Sequence, residues 1–196
     1  MNSLLPLTSF AFVMSITPGP NNIMLTSSGL MFGFSRSIPH MMGIIVGCAV
    51  MLALCAAGVS SAAALLPPVQ FVLKIIGSIY LIYLAWKLRA MSFNTEPETI
   101  GRPMSFWGAA AFQFVNPKAW IMAVSGAAAF LPEVRPFSLA VILFCVVYCG
   151  VGLPCISVWA GAGAALRRHL AQAKWRRLFS GVMVMLTLYS ATAIWQ

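Results

Sequence analysis

Thr17-Pro18-Gly19-Pro20-Asn21-Asn22 stands in the middle of an apolar run covering residues 4–31, and Asn116-Pro117-Lys118-Ala119-Trp120 stands in the middle of another covering 104–131. About 20 predominantly apolar residues make a membrane-crossing helix, and neither stretch belongs inside an unbroken one. Each proline follows a good N-cap residue, Thr17 or Asn116, which places Pro18 and Pro117 at the first position of a new helical segment. The two prolines lie 99 residues apart, about half the chain. An ordinary proline kink explains either break alone, because neighbouring helices can satisfy the freed carbonyls. Two breaks at matching places, both with polar caps and one with a lysine beside it, favour helices that restart at mid-membrane depth.

Composition supports the bilayer. Of 196 residues, 61% are apolar and 8% charged, and the mean hydropathy is +0.92. A soluble domain carries about 25% charged residues. Aspartate is absent, and Glu96, Glu98 and Glu133 are the only acids. These numbers exclude a soluble enzyme, a disordered tail and a disulfide scaffold. The net charge of +9 sits mostly in short gaps between apolar runs, not on a basic face with interleaved aromatics, so nucleic acid is not an expected partner. With no Lys or Arg before Arg36, the N-terminal stretch lacks the basic region of a cleavable signal peptide and is expected to stay as a span.

Six spans are expected, at about residues 4–31, 38–66, 69–90, 104–131, 136–165 and 178–195, in an all-α integral membrane protein. They form one polytopic unit over 1–196: a first repeat at about 1–90, a polar cytoplasmic loop at about 91–103, and a second repeat at about 104–196. Three spans per half require the second repeat to lie upside down relative to the first. Inverted three-helix repeats with broken first and fourth helices are an arrangement of secondary transporters. Placing both termini outside puts nine of the twelve basic residues in inner loops, as the positive-inside rule requires.

A helix restarting at mid-depth presents N–H groups and a positive dipole end to the interior, where a carboxylate suits it. Thr17, Pro18, Gly19, Asn21 and Asn22 at the first break, with Asn116, Pro117 and Lys118 at the second, are therefore the candidate substrate-binding residues. An uncompensated Lys at the bilayer centre costs roughly 2.5–3.5 kcal/mol or more, and no acid in the apolar runs pairs with Lys118. Lys118 is then neutral, or turned to a carbonyl or water, or matched by an anionic group of the substrate. Lys74 reads as a snorkelling residue and His40 as an interfacial one. Gly43 and Gly47 form a G-x-x-x-G pattern for close helix packing, within the protomer or at a homodimer seam. Pro154, after Gly150 and Gly152, marks a third weak point and a candidate hinge. The five cysteines all fall in apolar runs without a histidine or acid beside them and read as small apolar residues. Neither metal nor cofactor is expected, and no catalytic constellation is present.

The run Ile16-Thr17-Pro18-Gly19-Pro20-Asn21, Lys74 with Gly77-Ser78-Ile79-Tyr80-Leu81 and Leu84-Ala85-Trp86-Lys87, and Asn116-Pro117-Lys118-Ala119, in that order, resemble the LysE/RhtB amino-acid exporters. The likeness covers essentially the whole chain. Around residues 17–23, Ser105-Phe106-Trp107 and residues 113–116 it is most similar to the branch exporting cysteine and O-acetylserine. The resemblance implies efflux of an amino acid across the bacterial inner membrane, driven by the proton gradient. The residues themselves favour a small neutral one, such as cysteine, O-acetylserine or threonine, because a basic side chain needs an acid that the runs lack. A membrane-embedded assembly or interaction factor without its own substrate is the alternative. It requires the kinks but neither Lys118 nor the paired asparagines.

Topology has a direct check. In a cysteine-free background, Gln172→Cys is expected to react with an impermeant maleimide only after permeabilisation; labelling in intact cells reverses the orientation.

Overall fold

The computed structural model describes residues 4–58, 102–166 and 173–193, with residues 71, 75, 78, 79, 82, 83 and 86 between the first two segments. The expected third span and the loop after it therefore lie largely outside the described residues, and Lys74 with them.

Every regular element among the described residues is helical. The first run is two helices: α1 at Leu4–Ile16 and α2 at Pro20–Phe32. At 1.5 Å per residue each is about 20 Å long, too short to cross a core of about 30 Å alone but long enough together. Gly33, at φ 84°, ends α2 with its N–H on the Gly29 carbonyl, and the next helix starts at the following residue. That φ is open to glycine at little cost. α3 is Phe34–Ala56, with Pro39 inside its second turn instead of ahead of it. After the undescribed stretch come α4 at Phe106–Phe112, a 3-10 turn at Gln113–Val115, α5 at Pro117–Phe130, α6 at Phe137–Leu166 and α7 at Ala173–Ala193. Among them, α3 and α6 are by themselves long and apolar enough to span a membrane. Pro154 lies inside an uninterrupted α6, so the expected weak point there is not a break.

The surface is apolar where that of a water-soluble helical protein is polar. Asn22, Thr26, Ser27, Ser28, Gln113 and Asn116 are buried, whereas Leu5, Trp107, Val146 and Val158 are 60% exposed or more. An apolar outside over a partly polar inside suits lipid and not water. The inner hydroxyls are satisfied locally: Thr26 donates to the Asn22 carbonyl at 2.8 Å and Ser27 to the Ile23 carbonyl at 2.9 Å.

Contacts fix the relative directions of the helices. Phe10, Ser15, Ile16 and Thr26 meet Tyr148, Gly152, Trp159 and Gly163 in that order, so the α1–α2 pair follows α6 in the same direction. The Cys145 and Cys149 thiols point to the carbonyls of Ala49 and Ile45, so α3 runs against α6. Gly43 and Gly47 meet Phe106 and Ala110, so α3 and α4 run together. Phe10 packs on Phe130 while Thr17 meets Lys118, so α1 opposes α5. α7 lies on α2, with Met183 against Ile23, Met24 and Phe112.

Glycine sets the two closest crossings. A Cβ at Gly29 or Gly163 lands 2.0 Å from the Ala160 carbonyl oxygen or 2.1 Å from that of Thr26, and one at Gly43 lands 2.2 Å from that of Phe106. Backbone on backbone cannot give way. Gly150 has open space, and Gly161 meets one side-chain atom at 4.0 Å. Gly29→Ala, Gly43→Ala and Gly163→Ala are each expected to cost about 1–3 kcal/mol of overpacking, or several degrees of melting temperature at about 2–4 °C per kcal/mol. Gly150→Ala and Gly161→Ala should leave it unchanged. Thermal unfolding of detergent-solubilised protein checks the split.

Candidate functional site

The first break spans residues 17–19. Its new helix begins one proline later than the cap pattern suggests: Gly19 is the N-cap, extended at φ −177° and ψ 176°, and Pro20 is the first helical residue. The residue before a proline is driven out of the helical region, and here two prolines in register, Pro18 and Pro20, stretch the link. Thr17 is therefore not a cap. No side chain caps α2, and its first helical hydrogen bond runs from the Ile23 N–H to the Gly19 carbonyl at 3.0 Å. The N–H groups of Asn21 and Asn22 thus open the helix, with a positive dipole end behind them.

The carbonyls that α1 loses at the break are met by distant side chains. Asn22 uses both amide hydrogens, on Ser15 O and Thr17 O at 2.8 Å each. Trp159 of α6 donates to Ile16 O at 3.1 Å. The Lys118 ammonium spends three donors here: on Thr17 O at 3.0 Å, Thr17 Oγ1 at 2.8 Å and Pro18 O at 3.1 Å. Of the three states open to Lys118, the carbonyl-bound one is present. A cation at the carbonyl end of a helix is also favoured by its dipole.

The second break has a different finish. Asn116, at φ −90° and ψ 107°, caps α5 through its Oδ1, which accepts from the Lys118 N–H at 3.2 Å, and Pro117 is the first helical residue. The N–H groups of Ala119 and Trp120 both reach the Asn116 carbonyl. Proline has no N–H, so this helix end offers no free backbone donor; its contribution to the centre is the Lys118 ammonium. The expected pair of open helix ends is thus one open end and one lysine.

Amide pairing joins the breaks. Asn21 Nδ2 donates to Gln113 Oε1 at 2.8 Å, and Gln113 Nε2 donates to Asn21 Oδ1 at 3.1 Å and to the Ala109 carbonyl at 2.9 Å. Gln113 is fully buried. A lone Gln three residues before Asn116 in an apolar run is the signal that marks it, and the cap-centred reading of the break passes over it.

Both breaks open on one cavity of about 50 Å³. Gly19, Asn21, Asn22, Asn116 and Lys118 line it, with Cys48 of α3 and Tyr148 of α6 among the residues opposite. Of the expected site residues, Thr17 and Pro18 hold Lys118 from behind and Pro117 starts α5, none of them lining it; Gly43 and Gly47 are away from it, against α4. Gly19 is needed for space: a Cβ there lies 2.8 Å from Lys118 Cδ. A cavity of this size admits water.

The amide pair predicts a coupling. Asn21→Ala leaves Gln113 with one unmet amide donor and only the Cys48 thiol on its Oε1, at about 1–3 kcal/mol, and replacing both residues by Leu should recover part of that loss. A double-mutant cycle on unfolding in detergent is expected to give about 1 kcal/mol or more, above the ~0.6 average for interhelical hydrogen bonds in a membrane protein.

Residues 12–193 match the LysE type translocator family. The chain is 33% identical over 190 residues to the cysteine/O-acetylserine efflux proteins of Escherichia coli strain K12 and Shigella sonnei strain Ss046, covering 95% of this chain and 94% of each relative. No solved structure matches it. The chain belongs to the LysE-type translocators, a family of membrane transporters and not of enzymes.

Proposed function

We propose that this LysE-type translocator exports a small neutral amino acid, of the size of cysteine, O-acetylserine or threonine, across the bacterial inner membrane as a secondary transporter. The observation that carries the reading is the meeting of both helix breaks at one cavity, with Lys118 and the open end of α2 on its wall and no acidic side chain among the described residues lining it. The efflux activity named for the relatives supports the substrate class.

In this reading the substrate carboxylate takes the place that suits an anion, between the Lys118 ammonium and the Asn21 and Asn22 N–H groups. Lys118 then gives up part of its hold on Thr17 and Pro18, and the α-ammonium of the substrate inherits those carbonyls. The exchange keeps every carbonyl at the break matched, as a bilayer interior demands. Cys48, Ile44 and Met122 bound the space left for the side chain. A lysine or arginine substrate would bring a second cation to a wall without a carboxylate.

The architecture that goes with this function is six spans in two inverted repeats, about 1–90 and 104–196, in a multi-pass protein with both termini outside. Its support is the exchange of neighbours: the first run travels with α6, and the run broken at Asn116 starts alongside α3 in the same direction. A pseudo-twofold axis in the membrane plane pairs helices in that way. An assembly factor has no use for a cavity held by Lys118.

Lys118→Ala is expected to lower export of labelled cysteine at least about tenfold, the size of an effect of about 1.4 kcal/mol, with folded yield retained. Lys118→Arg should fail as well, since the flat guanidinium does not fit the compact ammonium's place beside Gly19. Export at the parental rate by Lys118→Ala, or stronger competition by lysine than by O-acetylserine, would sink the carboxylate site.

A further inference from the structure

His40 lies in the second turn of α3, 2% exposed, and neither ring nitrogen has a hydrogen-bond partner. It is buried within the protein near the start of its helix. The serines on its own helix and on α2 bond elsewhere. Ser37, one turn before, shares a 2.8 Å hydrogen bond with Ser28 of α2, and Ser27 donates to its own helix. Gly43, three residues on, is pressed against the Phe106 carbonyl, and Ile44, four residues on, lines the central cavity. Buried polar groups without a partner are rare and ask for an explanation.

The charged and titratable groups on the surrounding helices give no ion partner. α2, α4 and the 3-10 turn carry none. α5 carries Lys118, and α6 carries Tyr148 and Cys145, Cys149 and Cys155. α3 itself adds Arg36, which is exposed, and Cys48 and Cys55. No acid stands on any of these helices. Histidine is the side chain whose ordinary titration falls between about pH 5 and 8, and ionisable residues within membrane segments mark ion pathways by default.

We propose that His40 carries the proton that couples export to a pH gradient, a proposal that rests on the export reading above. A neutral imidazole has one N–H and one lone pair to place, and an imidazolium has two N–H groups. In this structure neither ring nitrogen is partnered. Binding a proton at His40 therefore favours a conformation in which the ring reaches water or a carbonyl, and releasing it restores this one. That is a differential affinity of two states for a proton, which is what coupling requires. The cycle balances: the imidazole gains one proton from the side of high concentration and loses it on the other, while one amino acid crosses the opposite way. Lys118 remains the substrate's partner and His40 the proton's, one helical turn from the cavity wall.

The test uses the full-length protein in proteoliposomes with radiolabelled cysteine, held reduced. Two activities are read: uphill accumulation driven by an imposed pH gradient, and counterflow at equal pH on both sides. Wild type should show both. His40→Gln and His40→Asn, which keep a donor and an acceptor but do not titrate, are expected to lose gradient-driven accumulation about tenfold or more while keeping counterflow within about twofold, the signature of lost coupling with binding intact. Accumulation at the wild-type level in either variant overturns the proposal. So does loss of both activities in folded variants, the result of a purely structural histidine. Should both variants aggregate, wild-type counterflow from about pH 5 to pH 8 decides: a single-proton transition supports the proposal and a flat profile overturns it. A failure of the export reading looks different, because wild-type vesicles would then show neither activity with any amino acid.

Discussion

A carbonyl freed inside a bilayer has no water to turn to, and this constraint governs the centre of the protein. The break at residues 17–19 strips α1 of its last acceptors' partners, and the deficit is met from three other places in the chain: Asn22 across the break, Trp159 from α6 and Lys118 from α5. The second break supplies the cation that meets the carbonyls of the first. The second in turn places that cation where an uncompensated lysine would be expensive, and the carbonyls of Thr17 and Pro18 compensate it. Lys118 thus joins the two interruptions although 99 residues separate their prolines.

That unit is held in register by close backbone contact. The crossings of α2 with α6 at Gly29 and Gly163, and of α3 with α4 at Gly43 and Gly47, bring main chains together where a methyl group would collide. Without a hydrophobic driving force between helices, such van der Waals contact is a principal source of association in lipid. The Asn21–Gln113 pair then ties α2 to the end of α4. Cavity walls come from α1, α2, α3, α5 and α6, so the volume between them depends on how these helices sit relative to each other.

The two breaks resemble one another in sequence yet end up with different chemistry. Asn116 closes the α5 end with its own side chain and leaves the Lys118 ammonium as the functional group. Gly19, without a side chain, leaves the α2 end open and leaves room for that ammonium. An amino acid is a carboxylate and an ammonium a few bonds apart, and the centre presents a cation and amide donors beside a set of carbonyls. The fit is electrostatic in both senses without an acidic side chain, which accords with a chain that has three acids in all.

The all-helical class, the apolar runs and the places where two of them break were legible along the chain, because period, length, proline and capping chemistry act over a few residues. The Asn116 cap followed from the same local rules. Which proline opens α2 follows a local rule that the cap pattern passes over: Gly19 precedes Pro20 and is kept extended, which puts Pro20 first. The reciprocal bonds of Gln113 with Asn21, 92 residues away, the hold of Trp159 on Ile16 and the burial of His40 were decided only by the tertiary structure. Sequence specifies which groups need partners in lipid, since that is a property of each residue. Who supplies them depends on which helices lie side by side, and long-range packing alone determines that.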